Sequence, residues 1–270
     1  MPTTGFLLWN IGGQPFDARL SRLLQTYPSD LLILVEPGNA AAAMTTALGT
    51  FTAVSGPCAS VMVYSRLPKT KFRTILSSSR WLLLTVRQPG VAEILLAVAH
   101  LPSKREANEY DQLNAAFGLS QDIRDAEQER KHTRTLVVGD LNMNPFDPGV
   151  SMNRGLHATS TRQVAEWESR AVQRVEYPFF YNPMWGCFGD RTPGPAGTYY
   201  RAASHAVNYH WNIYDQVLLR PALMDALEDV RILDHDGQDS LLTANGIPDT
   251  KSGSDHLPVY FRLNWDKIRS

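Results

Sequence analysis

The chain has 270 residues, of which 43% are hydrophobic, and 26 basic against 27 acidic residues give a formal net charge of −1. These values exclude a disordered polyelectrolyte and a globally basic nucleic-acid coat, but leave room for a local basic groove. The two cysteines, Cys58 and Cys187, are too few for a disulfide framework and fit a reducing compartment, with one optional pair as the alternative.

Taken in chain order, the N-terminus offers no basic region ahead of its short apolar run Phe6 to Trp9. No stretch reaches the roughly 18 apolar residues of a membrane span, so a soluble cytoplasmic protein without a membrane anchor is expected. Residues 6–11 read as a strand, and residues 17–27 as a helix with Leu20, Leu23 and Leu24 on one face. Residues 31–35 read as a strand and the alanine-rich residues 39–48 as a helix. Strands follow at 60–64, 81–87 and 93–99. Between the first two of these, Lys69, Lys71 and Arg73 alternate as on an exposed strand whose charges protect a sheet edge. Residues 104–131 are helical, with Tyr110, Leu113 and Phe117 on one stripe and a division near Gly118 and Ser120. Residues 124–134 mix both signs and suggest a solvated helix face.

A strand at 135–139 is followed by a helix at 161–172 that carries Glu166 and Trp167. Residues 177–211 are rich in Gly, Pro and aromatic residues without periodicity, which suggests a functional irregular segment. Strands at 216–219 and 259–263 complete the series. Many strands are near-continuous Leu, Val and Ile, as in sheets covered on both faces. Asp234, Asp236 and Asp239 have the wrong spacing for an EF-hand and read as a solvated loop. His132, His157, His205, His210 and His235 show no partner spacing. No linker divides the chain, so one domain over residues 1–270 is expected, monomeric by default and with no protein partner implied.

The informative pattern lies where the apolar runs stop. The runs end or begin at Asn10, Glu36, His100, Asp140 with Asn142, Asp215, and Asp255 with His256. Polar residues at strand ends sit on the rim of a sheet, where α/β folds place their chemistry. Glu36, Asp140, Asn142, Asn10 and Asp255 are hard oxygen ligands suited to Mg²⁺ or Mn²⁺ and not to zinc. Asp215 can orient the His256 imidazole, and His100 can donate to a phosphate oxygen. A divalent ion, an oriented histidine and donors to developing phosphorane charge together describe a phosphodiester hydrolase.

The segments Gly139-Asp140-Leu141-Asn142 and Ser254-Asp255-His256-Leu257-Pro258-Val259 resemble the GDxN and SDHxP motifs of the endonuclease/exonuclease/phosphatase superfamily. The resemblance runs from Asn10 to His256. It implies a four-layer α/β sandwich of two mixed β-sheets flanked by helices, as in DNase I-like proteins. Carried over by position, Glu36 would be the principal metal ligand, with Asn10 its neighbour and Asp255 assisting. Asp140 and Asn142 would align the nucleophile and the scissile phosphate. His256 would be the base or transition-state donor, oriented by Asp215, and His100 would contact the phosphate. The chain departs from the repair nucleases in three places. Gly12 stands where they carry an acidic residue, Val35 stands where glutamine precedes the glutamate, and Trp211-Asn212-Ile213-Tyr214-Asp215-Gln216 has one residue more than their WRLDY block.

Three functions are open to such a chain. The preferred one is a nuclease on DNA or RNA, whose substrate is held by Lys104, Arg105, Arg191 and Arg201 with stacking on Trp211 or its neighbours. The alternative is a phosphatase or phosphodiesterase of a small or lipid phosphate ester. An inactive binding relative would require a broken constellation, and none of the six positions is broken.

Overall fold

The computed structural model describes residues 3–54, 56, 58–204 and 206–269, so His205 lies outside the described residues. The chain enters on β1 (Thr3–Asn10), turns through α1 (Asp17–Thr26) and returns on β2 (Leu31–Val35). A helical turn, α2 (Thr45–Leu48), leads to the short β3 (Thr52–Ala53) and to β4 (Val61–Ser65). There follow β5 (Phe72–Ser77), β6 (Trp81–Val86), β7 (Ile94–His100), the long α3 (Glu109–Arg130) and β8 (Thr135–Asp140). The next segment is broken into α4 (Pro148–Ser151), β9 (Ala158–Thr159), α5 (Arg162–Ala165), β10 (Ser169–Val172), β11 (Val175–Pro178) and β12 (Phe180–Tyr181). Finally come β13 (Tyr199–Tyr200), β14 (Trp211–Asn212), β15 (Asp215–Leu219), β16 (Leu227–Ile232) and β17 (Val259–Asn264).

Two mixed sheets result, one of six strands in the order β16-β17-β1-β2-β4-β3 and one of seven in the order β5-β6-β7-β8-β15-β12-β9. β1 runs parallel to β2, and β7 parallel to β8, while β15 returns antiparallel beside β8. The near-continuous apolar strands work as expected for double-sided burial. Leu82, Leu84, Leu96, Val98, Leu136, Val138, Val217 and Leu219 join the core cluster that contains Phe6, Leu8, Ile33 and the α1 leucines Leu20, Leu23 and Leu24. The alternate residues Leu83, Leu95, Ala97, Val137 and Leu218 form a second cluster with Ala116, Leu119 and Ile123 of α3. The layers are therefore helix, sheet, sheet, helix. No helix among the described residues is long and apolar enough to cross a membrane.

Several local expectations are corrected. The alanine-rich segment is not one helix but a 3₁₀ turn at Ala40–Ala43 and the separate turn α2, interrupted at Met44, whose φ and ψ of −91° and 52° are not helical. α3 is continuous across Gly118 and Ser120. A Cβ at Gly118 would lie 3.3 Å from the Trp81 ring, so the glycine accommodates Trp81, whose Nε1 donates to Asp122 at 2.7 Å. The buried stripe of α3 is Gln112, Ala116, Leu119, Ile123 and Ala126, while Tyr110 is 79% exposed. The expected helix at 161–172 is only the turn α5, followed by the hairpin β10–β11. That hairpin turns at Gln173 and Arg174, both at positive φ (51° and 69°), as a two-residue primed turn requires. Arg73 lies on β5, an edge strand, whereas Lys69 and Lys71 lie in the 3₁₀ turn before it.

Two of the expected solvated segments carry buried charge. Glu127 of α3 is 5% exposed and Asp236 is fully buried. Asp236 accepts from Arg22 at 2.6 Å and takes the backbone N–H groups of Gln238 and Asp239. It ties its loop to α1.

Candidate active site

Strand register gathers the polar strand ends on one rim. Across β7 and β8, His100 lies opposite Asp140, and across β8 and β15, Asp140 lies opposite Asp215. In the other sheet, Asn10 at the end of β1 lies opposite Val35, the residue before Glu36. His256 is drawn to the same place by an isolated bridge to Tyr199, by the Trp9 indole donating to its carbonyl at 2.9 Å, and by Leu257 N–H donating to the Thr198 carbonyl. Gly139 is obligatory before Asp140 because a Cβ there would come within 1.9 Å of the Ala99 carbonyl oxygen on the parallel neighbour. Glu36 and Asn142 both sit at a positive φ of 50°, a strain of about 1–3 kcal/mol for a non-glycine residue that gathers at functional sites. Asn142 is pinned there by its N–H donating to Asp140 at 2.8 Å, and by its side-chain amide donating to the Leu101 carbonyl at 2.9 Å.

The side chains form two linked groups around Asp140. In the first, the Asn10 amide donates to Glu36 at 3.1 Å and to Asp140 at 2.9 Å, while His100 Nε2 lies 3.4 Å from Glu36. In the second, His256 Nδ1 lies 2.7 Å from Asp215 Oδ2, and His256 Nε2 lies 3.8 Å from Asp140. Asp215 is further held by its N–H donating to the Thr198 hydroxyl. Burial pushes the Asp140 carboxyl up, and the nearby Asp215 charge adds to this. Burial opposes charge on His256, but the Asp215 and Asp140 carboxylates outweigh it and raise the imidazole to about 10.

These groups floor a cleft of about 340 Å³ whose walls include Lys104, Arg105, Arg201, Tyr199, Tyr214 and Asp255. Asp215 stands behind His256, and His100 lines a shallower trough that adjoins the cleft at Gly12 and Glu36. The sequence therefore named most of what meets here. Trp211 is not brought to the cleft; it is half-buried on β14 with its ring 5.5 Å from Tyr200. Arg191 is exposed and also outside it. Asn10 presents its N–H group to the carboxylates and its oxygen to the Gly12 N–H at 3.0 Å, so it bridges two acids in this structure, and an oxygen-ligand role needs the amide turned over.

Sequence reasoning missed the supporting shell. Tyr199 stacks on Tyr214 with centroids 5.2 Å apart and lies 4.7 Å from the His256 ring, and its hydroxyl accepts from Arg105 at 3.4 Å. Buried amides join the loops: Asn144 donates to Asn212 at 2.9 Å, and Gln216 donates to the carbonyls of Met143 and Ile213. Gln112 of α3 donates to the carbonyls of Pro102 and Asn142. Asn144, two residues after Asn142 on the same short segment, was the one available signal.

A divalent cation fits the donor set. Glu36, His100 and Asp140 each bring a ligand atom within 4.8 Å of one another, and Asp140, Asp215 and His256 do the same. Four carboxylates, Glu36, Asp140, Asp215 and Asp255, share the site. Among the described residues no lysine or arginine forms an ion pair with any of them. A cluster of acids with no lysine or arginine partner is stabilised by a hard cation.

Comparison with known proteins agrees with the two-sheet fold. No curated protein sequence matches the chain significantly. Among solved structures, an endonuclease/exonuclease/phosphatase family protein from Bacteroides thetaiotaomicron matches with TM-score 0.62 and 12% identity over 98% of each chain. The human Nocturnin catalytic domain, with a bound sulfate anion, matches with TM-score 0.60 and 14% identity over 98% of this chain and 95% of that one. D. rerio TDP2 complexed with a single-strand DNA product matches with TM-score 0.55 and 15% identity, over 98% of this chain and 100% of that one. These likenesses establish the fold. The profile of the Endonuclease/Exonuclease/phosphatase family matches residues 7–256, a span that contains every element of the site, and the chain belongs to that family.

Proposed function

We propose that the protein is a Mg²⁺- or Mn²⁺-dependent phosphodiesterase that hydrolyses nucleic acid, DNA or RNA. The observation that carries this reading is the four-carboxylate rim with the Asp215–His256 pair at its centre, set in a cleft walled by Lys104, Arg105 and Arg201. When bound, the cation supplies charge neutralisation at a non-bridging phosphate oxygen. Glu36 and Asp140 would hold it, with Asn10 and Asp255 beside them.

The protein's own residues supply the rest. Asp215 occupies His256 Nδ1, so Nε2 is the atom that faces the cleft and exchanges a proton with the nucleophile or the phosphate. Asp140 lies 3.8 Å from that nitrogen and is placed to align the attacking water. Asn142, in the wall of the cleft, and His100, in the adjoining trough, would donate hydrogen bonds to developing negative charge. Lys104, Arg105 and Arg201 attract the phosphate backbone, a task that the chain's net charge of −1 leaves to local residues.

A polymeric substrate is favoured over a small phosphate ester because the cleft does not close. It passes Gly12 and Glu36 into a trough of about 380 Å³ lined by Gly13, Gly38, Ser60 and Arg80. The test is a Mg²⁺/Mn²⁺ activity panel on single- and double-stranded DNA, RNA, an abasic duplex, inositol phosphates and sphingomyelin, with Asp140→Ala as control. Hydrolysis of DNA or RNA by the wild type alone supports the reading. Activity confined to inositol phosphates or sphingomyelin overturns it in favour of the small-ester alternative.

A further inference from the structure

Next to the cleft lies a second cavity, of about 240 Å³, between the start of α3 and the loop after β8. Its walls are mostly apolar, and Lys104 lines both cavities. Lys104 Nζ lies 3.3 Å from Asp147, which itself accepts the Asn144 N–H at 2.9 Å, so the lysine stands at a fixed border between the two. Tyr110 forms the outer wall and is 79% exposed. Its ring contacts no other aromatic ring and no cation among the described residues. In contrast, Phe146 is already packed by Trp185, Phe188 and Tyr209 at centroid distances of 6.0, 5.8 and 5.2 Å.

The pocket is also fixed relative to the catalytic residues. Met143, in its floor, directly follows Asn142, and its carbonyl accepts from the buried Gln216 at 2.6 Å. Gln112, also in the lining, donates to the Asn142 carbonyl at 3.0 Å, which ties the first turn of α3 to the catalytic loop. The Asn108 side chain caps that turn through the N–H groups of Tyr110 and Asp111, so Tyr110 rises from a rigid base.

We propose that the pocket formed by Tyr110, Leu113, Met143 and Pro148 is a base-binding subsite that takes the nucleobase flanking the scissile phosphate. Lys104 holds the phosphate link between this base and the reacting centre. The inference rests on the nucleic-acid reading above. An aromatic face, an apolar floor and a cation at the edge are what a base attached to a phosphate needs, and stacking of this kind is sequence-tolerant. The geometry therefore assigns the pocket a role in affinity and cleavage position, with no part in bond breaking.

The test is a cycle between protein and substrate. Short single-stranded oligonucleotides are prepared with a normal base or an abasic tetrahydrofuran residue next to the scissile phosphate, and KM and kcat are measured in Mn²⁺ for the wild type, Tyr110→Ala and Tyr110→Phe. The expected result is a KM raised about ten-fold by Tyr110→Ala on the normal substrate. It comes with little change in kcat, with recovery in Tyr110→Phe, and with no effect of Tyr110→Ala on the abasic substrate. If the wild type cleaves the oligonucleotides and Tyr110→Ala cleaves them with the same KM, the subsite is wrong and the nuclease reading stands. If the wild type cleaves no oligonucleotide, both fall.

Discussion

The two ends of β8 show opposite ways of burying charge. At its start, Glu127 accepts from Arg220 at 2.8 and 3.1 Å and from the Thr135 hydroxyl at 2.6 Å. Arg220 adds the carbonyls of Pro178 and Phe179 and lies 3.8 Å over the Phe180 ring. Nearby, burial acts to raise the Glu93 carboxyl, but Arg87, Arg130 and His132 hold it below the usual carboxylate range. Glu127 and Glu93 therefore each have a cation at this end. At the other end, Asp140 is buried with Asp215 beside it and shares one imidazole with it, and its carboxyl is raised. One strand thus joins a closed ion-pair network to an open cluster of acids. The closed end stabilises the fold, and the open end, with no lysine or arginine partner, is the physical basis for the proposed metal and phosphate chemistry.

The comparison can be broken at either end. At the open end, Glu36→Gln or His256→Ala should lower metal-dependent turnover about a thousand-fold while leaving the unfolding midpoint near wild type. Retained turnover in either variant would sink the site assignment. At the closed end, Glu127→Ala should cost about 3–5 kcal/mol of stability, read from denaturant titration, because it strands a buried guanidinium. The folded fraction should keep wild-type turnover, and an equal loss of turnover per folded molecule would show that the two ends are not separable. Asp215→Asn tests the pair within the open end, since it removes the charge that orients His256 but not the hydrogen bond's shape. A fall in kcat of about a hundred-fold, with an altered pH–rate profile, is expected.

A smaller effect concerns Asp236. Burial opposes its charge, yet Arg22 and two backbone N–H groups lower it from 3.8 to about 2. Its folded value lies below its unfolded one, so its contribution is present above about pH 3.8 and is lost as pH falls towards 2. Arg22→Ala should flatten the acid limb of stability against pH, and an unchanged limb would remove Asp236 from the account.

The open end was far more legible in the sequence than the closed one. Asn10, Glu36, His100, Asp140, Asp215 and His256 stand out because each is polar at the end of an apolar run, and the parallel and antiparallel registers bring such ends together. Glu127 and Arg220 lie 93 residues apart, and each looks like an ordinary surface charge until the fold buries both. The hairpin at Gln173 and Arg174 was invisible for a similar reason: its turn needs two positive φ angles, yet neither residue is Gly, Asn or Asp. The face of α3 was misjudged because Gln112 and Ala116 line it while Tyr110, the more hydrophobic residue, is left in solvent.

The most direct test is calorimetric titration of the metal-free protein with Mn²⁺, comparing the wild type with Glu36→Gln and Glu127→Ala. Binding by the wild type and by folded Glu127→Ala, with affinity lost in Glu36→Gln, is the predicted result. Undiminished Mn²⁺ binding by Glu36→Gln would contradict the claim that the acids gathered around Asp140, Glu36 among them, hold a cation.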